Sequence, residues 1–374
     1  MRPEDTKGHP VYNPAVDHER LVTLFRNWSD VEAVANLSPL YQLLGNAVAG
    51  DAGLLELAGE ALPGQPPPNV LFAAVHALLA DRAGHPLAAY YSTLGGSRAA
   101  APEAVGLFRE FCLEHRDDLL PAIRTRLVQT NEVRRSAILL PAFASVAEDA
   151  GQPLALFEIG PSAGLNLLFD RYRYRFGDLE IGPAGSPVVL ESEPRGAVPA
   201  LPIPAVASRL GVDINPLDVT NPEDVAWLRA LLGPEPPPGR PRLRAARRSP
   251  RQSPPELPRG DLFERLPPRV AATPKGHGAC LFATFVLSQF SPAMLSRLRG
   301  MLVSLADVRP VYLVVMGFTE FIEPGTPWIG DAQVWVLRLR DGAADYRLSS
   351  TANPHGRWID WVPESPWKRW EPKY

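Results

Sequence analysis

The sequence predicts an α/β protein, in which a helical first part precedes a doubly wound, mostly parallel β-sheet. Three observations predict this fold class. Apolar residues recur at helical spacing from Leu21 to about Val146, whereas short apolar runs alternate with helical segments from residue 154 onward. Strands that alternate with helices are typical of parallel crossover connections. A glycine-rich turn follows the first apolar run, as at the ligand-binding edge of such sheets.

The first part is predicted to contain a series of helices. One begins at Ser38-Pro39, because proline is favoured at the first helical position after a serine cap. Further helical stretches are expected at 69–83, 104–115 and 131–148, separated by proline- and glycine-rich breaks at 63–68, 83–86 and 94–102. We therefore expect a flexible tail at 1–15 and a helical cap domain at 16–150.

The second part, residues 151–374, is predicted to form the sheet domain. Buried strands are expected at 154–160, 209–215, 279–287 and 309–318, with helices at 164–172, 221–232 and 292–304. The dipeptides Gly177-Asp178 and Asp341-Gly342 predict hairpins at 171–182 and 334–350. Two insertions are expected, at 171–207 and 233–258. The second is rich in proline and arginine, which indicates either a solvated loop or a patch for an anionic partner.

Composition and charge exclude several classes of protein. The chain has 374 residues, 45% of them hydrophobic, and a formal net charge of −3, so neither wholesale disorder nor non-specific nucleic-acid binding is expected. Two cysteines cannot make a disulfide framework, and the histidines lack ligand spacing, so no metal site is predicted. No signal peptide or membrane span is visible. We expect a cytoplasmic protein without nucleic-acid or membrane partners, and leave a protein partner or homodimer open.

The turn after the first strand carries the most chemistry. Glu158 ends that buried strand, where a carboxylate is costly unless it has a partner. Gly160 and Gly164 allow a tight turn and a close approach of a ligand to the start of the next helix. Asp213 ends the second strand, where a carboxylate can accept both ribose hydroxyls of a nucleoside cofactor.

Three ligand interpretations of this turn are open, beside a tight turn that binds nothing. A dinucleotide site is disfavoured, because Ser162 stands at the middle glycine position and the glycine spacing differs. A nucleophile elbow matches residues 160–164, although such elbows normally follow several earlier strands. Its candidate partners are Asp307, His277 and His355. The favoured interpretation is the S-adenosylmethionine turn, Glu-x-Gly-x-x-x-Gly followed by an acid at the end of strand two.

Other candidate residues follow the third and fourth strands. Asp261 and Leu262 resemble the residues that face adenine in S-adenosylmethionine-dependent methyltransferases, although Asp261 also suits a helix N-cap. Residues 284–289 stand where those enzymes place substrate-facing groups, or form ordinary core before a cap at Ser291-Pro292. The predicted residues for S-adenosyl-L-methionine are Glu158, Gly160, Ser162, Gly164, Asn166, Asp213, Asn215, Asp261, Leu262 and Thr284.

A polar segment, Gln129–Arg135, is predicted to begin the helix that leads to the first strand. A helix over this segment places Asn131 and Arg135 on one face, and Thr130 can cap it together with Glu132. It is either a solvated helix start or a lid, in which Glu132 orients a substrate amine or acts as a base. The predicted catalytic residues are Glu132, Asn131 and Gln129. The predicted substrate-binding residues are Arg135, Tyr172, Tyr174, Ser288 and Gln289, although the two tyrosines also fit a half-buried strand.

Four motifs together resemble one bacterial family, domain of unknown function 2332. They are LVQTNEV at 127–133, EIGPSAGLN at 158–166, DRYRY at 170–174 and NPLDVT at 215–220. The resemblance extends from about Leu21 to Phe318. It implies a Rossmann-like fold of the class I S-adenosylmethionine-dependent methyltransferase type with an N-terminal helical region, and it implies fold more than reaction.

The sequence departs from the family pattern at three places. Pro161 stands where alanine is expected and lacks an N–H that could face a ligand. Thr284 and Phe290 replace an expected histidine and tyrosine, and the arginine-rich insertion replaces a helix. These departures fit a specialised, biosynthetic paralogue. The leading function is methyl transfer from S-adenosyl-L-methionine to a small molecule, mainly by proximity and alignment. The alternatives are a non-methylating displacement or ring closure on the same fold, and a non-catalytic binding or partner protein.

Overall fold

The computed structural model describes residues 14–35, 37–196, 201–235, 254–317, 319–324 and 330–371, and the chain divides into two compact units. The first unit comprises residues 1–130 and 221–238, and the second comprises residues 131–220 and 239–374. The division thus falls at residue 130 rather than 150, and the segment 221–238 belongs with the helices. Most of the predicted tail and residues 236–253 of the arginine-rich insertion lie outside the described residues.

Ten α-helices lie in the described ranges. They are α1 (Pro14–Asn27), α2 (Pro39–Val48), α3 (Ala52–Gly59), α4 (Pro67–Ala80), α5 (Glu103–Glu114), α6 (Arg116–Thr125), α7 (Arg135–Ala150), α8 (Pro222–Ala230), α9 (Leu262–Ala271) and α10 (Pro292–Ala306). A π-helical segment spans Trp28–Ala33, and short 3-10 helices include Leu165–Arg171 and Val286–Gln289. None of the described helices is both long and apolar enough to cross a membrane.

The helical unit packs around an aromatic cluster. The Phe72 ring stacks on Trp28 and on Tyr41, with ring centroids 5.0 and 4.5 Å apart. Helix α2 begins at Pro39 as predicted, but Ser38 does not cap it through its own side chain. The Ser38 hydroxyl donates to Glu235, whose other carboxylate oxygen accepts the Leu40 N–H at 3.1 Å. A carboxylate from a distant segment therefore caps this helix, where negative charge is favourable.

Twelve strands lie in the described part of the second unit. They are β1 (Leu154–Ile159), β2 (Arg173–Phe176), β3 (Leu179–Ile181), β4 (Val189–Glu191), β5 (Glu193–Arg195), β6 (Val206–Val212), β7 (Gly278–Thr284), β8 (Val311–Met316), β9 (Ala332–Arg340), β10 (Ala343–Ala352), β11 (Trp358–Trp361) and β12 (Lys368–Arg369). The main sheet has the order β5-β11-β10-β9-β8-β7-β1-β6, and β12 pairs with β10. Strands β6, β1, β7 and β8 are mutually parallel, which confirms a mixed α/β fold with a mostly parallel centre.

Antiparallel strands complete the sheet. Strands β9 and β10 form the predicted hairpin around Asp341-Gly342 and extend the sheet beyond β8. The predicted hairpin at 171–182 is β2 and β3, which pair antiparallel in a separate sheet of order β3-β2-β4. The insertion at 171–207 thus carries this small sheet, together with β5 at the edge of the main one.

The carboxyl ends of the parallel strands meet at one edge of the sheet. Ile159 pairs with Val212 on one side and with Ala283 on the other. Strand β10 runs in the same direction as β8, because both are antiparallel to β9. The turn at 353–356, which follows β10, therefore lies at this edge as well. Nucleotide and cofactor sites of open α/β sheets form at such carboxyl edges.

Helix α7 packs on the sheet, which is why it belongs to the second unit. Near its end, Asp149 accepts hydrogen bonds from Tyr312 Oη at 2.8 Å and from Arg338 Nη1 at 2.9 Å. Because α7 ends shortly before β1 begins, its end lies at the amino edge of the sheet and its start, Arg135, lies at the carboxyl edge.

Candidate functional site

The turn after β1 is held in an unusual backbone conformation. Gly160, Ser162 and Gly164 have left-handed φ angles of 65°, 53° and 68°. A Cβ atom at Gly160 would lie 2.7 Å from Val286 Cγ2, a separation that real Cβ contacts do not show. Gly160 is therefore required by both its conformation and its close packing. Ser162 is a non-glycine residue in the left-handed region, as is common at functional turns.

Four backbone N–H groups of this turn donate to acceptors within the chain. Ser162 N donates to Asp213 Oδ2 at 2.8 Å, and Leu165 N donates to Asn131 Oδ1 at 3.0 Å. Gly160 N and Gly164 N donate to backbone carbonyls. Pro161 has no N–H. The turn therefore does not present the row of N–H groups that cradles a pyrophosphate, which disfavours a dinucleotide.

Both polar atoms of the Asn131 side-chain amide form hydrogen bonds with the glycine turn. Its Nδ2 atom donates to Pro161 O at 3.2 Å, while its Oδ1 atom accepts the Leu165 N–H. The prediction that Asn131 and Arg135 share a helix face is wrong, because α7 begins only at Arg135. The predicted Thr130 cap is also wrong, because α7 has no side-chain cap. Asn131 is held outside the helix by its hydrogen bonds to the turn, which makes it a positioning residue.

The other two predicted catalytic residues lie in different surroundings. Glu132 Oε1 accepts the Arg134 N–H at 2.9 Å and so stabilises the local turn before α7. Gln129 belongs to the helical unit, whereas Glu132 belongs to the sheet unit. The catalytic roles of Gln129, Asn131 and Glu132 stay predictions.

Asp213 is a buried carboxylate at the end of β6. Its Oδ1 atom accepts the Asn215 N–H at 2.8 Å, and its Oδ2 atom accepts the Ser162 N–H. The next side chain, Ile214, is 72% exposed, unusually for a large apolar residue beside a sheet edge. Gly260 N donates to Asp213 O at 3.0 Å, so the segment that leads into α9 runs beside these residues.

The residues that begin α9 have two roles. Asp261 accepts the Phe263 N–H at 2.8 Å, so the N-cap alternative for Asp261 is confirmed. An isolated parallel bridge pairs Asp213 with Arg259, which places the preceding residues where a third parallel strand would lie. Leu262 follows the cap, is half-buried and packs against the apolar core of the sheet.

Glu158 is the most deeply buried carboxyl of this edge. It is 1% exposed, and its Oε2 atom accepts no hydrogen bond within the described residues. Asn166 Nδ2 is likewise buried without an acceptor, while Asn166 Oδ1 accepts the Ser136 hydroxyl at 2.9 Å. Burial raises the pKa of Glu158 well above its ordinary value and the nearby Asp213 raises it further, while the charge of Arg135 and the neighbouring Asn166 amide lower it in part. Buried polar atoms normally have partners, so these two neighbouring atoms beside the glycine turn are candidates for hydrogen bonds to a ligand.

Arg135 is a buried cation at the same edge. Its guanidinium Cζ lies 4.4 Å from the centroid of the Phe285 ring, and its Nε donates to Pro354 O at 3.2 Å. Phe285 itself has a left-handed φ of 61°. Burial lowers the pKa of Arg135 to about 10, so it remains cationic at neutral pH. No carboxylate of the described residues lies within ion-pair distance of it.

The turn at 353–356 contributes a histidine that the sequence indicated only as a nucleophile partner. Gly356 has a φ of 75°, and a Cβ atom there would lie 2.8 Å from Arg134 O, so the turn packs tightly on the start of α7. Asn353 Oδ1 accepts the His355 N–H at 3.0 Å. One local signal could have indicated a role for His355 at this edge. The residue stands between a proline and a glycine, shortly after a predicted strand.

The remaining predicted substrate residues are placed differently. Tyr172 and Tyr174 are fully buried, and their hydroxyls donate to Leu165 O at 2.6 Å and to Phe169 O at 2.5 Å. They are core residues beneath the helix that follows the turn, not part of an accessible surface. Ser288 and Gln289 are exposed, and the Ser288 hydroxyl donates to Phe285 O at 2.7 Å.

Within the described ranges, no group of three histidine, cysteine, aspartate or glutamate side chains could hold a metal ion. The predicted cofactor residues nevertheless gather at one edge. Hydrogen bonds join Ser162 and Asn215 to Asp213, and Gly160 N donates to the carbonyl of Val212, the residue before Asp213. Thr284 directly follows Ala283, which pairs with the end of β1.

The family model described as uncharacterized protein conserved in bacteria (DUF2332) matches residues 23–361. The chain belongs to this family. The family suggested by the four sequence motifs is thereby confirmed, and the DUF2332 match spans both the glycine turn and the turn after β10. No curated protein and no solved structure matches this DUF2332 chain. A class I methyltransferase fold stays a prediction.

Proposed function

We propose that this DUF2332 protein binds S-adenosyl-L-methionine at the carboxyl edge of the sheet and transfers its methyl group to a small molecule. One observation carries the proposal. Glu158 Oε2 and Asn166 Nδ2 are buried without partners beside the glycine turn. An unpartnered acceptor and an unpartnered donor suit the ammonium and carboxylate groups of a ligand's amino-acid end.

The rest of the edge fits a nucleoside that carries no phosphates. The turn's N–H groups bond within the chain, so nothing there favours a pyrophosphate. Asp213 is held by two N–H groups at the position where a carboxylate accepts ribose hydroxyls. Ile214, 72% exposed, offers an apolar surface for an adenine ring.

In this proposal the residues of the carboxyl edge bind and orient the cofactor. The bound cofactor would supply an activated methyl group on a sulfonium sulfur. Glu158 and Asn166 would fix the amino-acid end, and Asp213 would fix the ribose. The chain thereby sets the direction from which an acceptor atom approaches, which is the main requirement of a displacement at carbon. Glu132 remains the predicted base for an acceptor that must lose a proton.

Calorimetry tests this proposal directly. S-adenosyl-L-methionine and S-adenosylhomocysteine should bind the full chain, and Asp213→Ala should weaken binding at least about tenfold, since hydrogen bonds to charged groups are worth about 1.5–3 kcal/mol. Asp360→Ala, at an exposed aspartate of β11, is the matched control and should bind normally. A folded native protein that binds neither compound would refute the proposal.

Two rival reactions have separate tests. An intramolecular displacement or ring closure would form its product without S-adenosylhomocysteine, whereas methyl transfer releases one S-adenosylhomocysteine for each product. Mass balance therefore separates these two reactions. The left-handed Ser162 in Gly-x-Ser-x-Gly, with a φ of 53°, favours a nucleophile elbow as the second candidate. Under that alternative Ser162 reacts with a fluorophosphonate, and an unlabelled native protein would remove it.

A further inference from the structure

We propose that the start of α7 and the turn at 353–356 form a binding site for a carboxylate group, with Arg135 as its cation and His355 beside it. The carboxylate has two possible sources. One is the amino-acid end of the cofactor, and in that form the inference rests on the proposed function. The other is a carboxylate on the acceptor substrate, which would exist whatever the cofactor.

Arg135 is a cation that the described part of the chain leaves without a counter-ion. It is 6% exposed, and burying a charge without a partner is costly. Phe285 covers one face of the guanidinium, and Pro354 O holds its Nε atom. Its Nη atoms make no hydrogen bond to any residue in the described ranges. A guanidinium fixed in this way presents the paired N–H groups that match a carboxylate.

Two neighbouring acids, Glu132 and Glu158, raise the pKa of Arg135, but neither forms an ion pair with it. Glu158 lies beyond ion-pair distance, and its raised pKa favours the uncharged carboxyl. Glu132, the other acid that acts on Arg135, already accepts the Arg134 N–H. Helix α7 has no acidic residue in its first turn, so its dipole adds to the positive potential at Arg135.

His355 lies in the same positive field. Burial and the charges of Arg135, Arg357 and Arg134 lower its pKa to about 4, so the imidazole is neutral at neutral pH. The turn that carries it is fixed by Asn353 and by the close contact between Gly356 and Arg134. A carboxylate bound to Arg135 would offset that field and raise the His355 pKa. His355 therefore reports on occupation of the site.

The test is the titration of His355 by NMR in the full chain, with the resonance assigned through His355→Asn. Three probes are compared: acetate, S-adenosylhomocysteine, and 5′-methylthioadenosine, which keeps the nucleoside thioether but lacks the carboxylate. We expect the pKa of His355 to rise above about 4 with at least one carboxylate probe, because the charge of Arg135 is offset while burial remains, and to stay unchanged with 5′-methylthioadenosine. A response to S-adenosylhomocysteine identifies the cofactor's carboxylate, and a response to acetate alone identifies a separate substrate site.

Variants of Arg135 separate binding from folding. Arg135→Gln should raise the His355 pKa of the ligand-free protein and abolish its response to carboxylates. Arg135→Lys retains the charge without the paired donors and should respond weakly. Arg195→Gln removes an exposed arginine that lies 3.7 Å over the Trp358 ring and serves as the matched control.

The outcomes distinguish this inference from the proposed function. Binding of S-adenosylhomocysteine by calorimetry, with the His355 pKa unmoved by it and by acetate, would overturn the carboxylate site and leave the proposed function standing. A response to acetate in a protein that binds no nucleoside would support the site and refute the proposed function. The carboxylate site would also be overturned if Arg135→Gln left the His355 pKa of the ligand-free protein unchanged and carboxylates still raised that pKa as in the native chain.

Discussion

Two buried titratable side chains, one in each unit, have opposite surroundings. His76 in α4 is 2% exposed, and its ring nitrogens lie 2.9 Å from Thr93 Oγ1 and 3.3 Å from Ala230 O. Glu158 in β1 is 1% exposed, yet one of its oxygens has no partner among the described residues. Both ring nitrogens of His76 thus have partners, whereas one Glu158 oxygen lacks a hydrogen bond that a ligand could supply. Buried atoms without partners also occur elsewhere, at Trp28 Nε1 and Trp335 Nε1, so Glu158 is distinguished by its place at the carboxyl edge beside the glycine turn.

The largest expected effect is on the turn beside Glu158. Gly160→Ala should lower the free energy of unfolding by about 2–5 kcal/mol, because it adds left-handed strain and overpacking against Val286. Gly151→Ala is the control, since Gly151 has a similar φ of 63° with nothing within 4 Å of a Cβ atom. Urea denaturation measures both. Equal losses in the two variants would show that contact with Val286 contributes nothing.

The comparison predicts that His76 acts on stability alone. His76→Leu leaves the buried Thr93 hydroxyl without its partner and removes one of the two hydrogen bonds of the Ala230 carbonyl, which also accepts the Gly233 N–H, so the free energy of unfolding should fall by about 1–3 kcal/mol. Binding of S-adenosylhomocysteine at a temperature where the variant is folded should be unchanged. A loss of affinity in that folded variant would contradict the purely structural role of His76.

Tyr172→Phe tests the residue that the sequence predicted to contact substrate. The variant loses only the hydrogen bond from the hydroxyl to Leu165 O, 2.6 Å long, and should be about 1 kcal/mol less stable. Ligand affinity should remain that of the native chain, as measured by calorimetry beside thermal denaturation. A tenfold loss of affinity at unchanged stability would restore Tyr172 to the substrate site.

Glu158→Gln should have the smallest effect on stability and a clear dependence on pH. In the folded chain the raised pKa retains the proton, while the unfolded chain loses it near pH 4.3, so native stability falls as pH rises above that value. The amide variant lacks this fall and should gain on the native chain from pH 5 to pH 8. His355 contributes to stability in the opposite sense, because its lowered pKa makes stability fall as pH decreases from 6.5 to about 4. This contribution is the same in the native chain and in Glu158→Gln, so the difference between their free energies of unfolding at each pH isolates Glu158.

A stability difference between these two proteins that does not change with pH would show that Glu158 titrates normally. Binding gives the complementary measurement. An amide cannot lose a proton to become the carboxylate that would pair with the ammonium group of the ligand, so Glu158→Gln should weaken the binding of S-adenosylhomocysteine at least about tenfold.

Local patterns predicted the parallel strands, both hairpins and the glycine turn, but not the short strands β4, β5, β11 and β12. Apolar runs and turn dipeptides act over a few residues, and β1, β7, β8 and the hairpin at β9 and β10 follow them. The start of α7 could not be predicted in this way. Helical spacing continues back to Asn131, but hydrogen bonds to Pro161 and Leu165, some 30 residues away, hold Asn131 outside the helix.

The residues that surround Arg135 could not be predicted from local sequence patterns. Its carbonyl partner Pro354 lies 219 residues further along the chain, and only the direction of β10 brings the two together. The unit boundary failed for a similar reason, since the helical spacing of α7 shows that it is amphipathic but not which apolar surface it covers. Asp261 was left between two roles because an acid before an apolar run fits both a cap and a strand end.

The contact between Gly356 and Arg134 sets an order of events during synthesis. The ribosome completes β1, β6, β7 and β8 well before residues 353–356 emerge, so the parallel strands can pair while Arg135 still lacks its carbonyl acceptor. A chain that stops before residue 353 would keep the glycine turn but not the surroundings of the guanidinium. This edge of the sheet is therefore complete only after the final stretch of the chain has been translated.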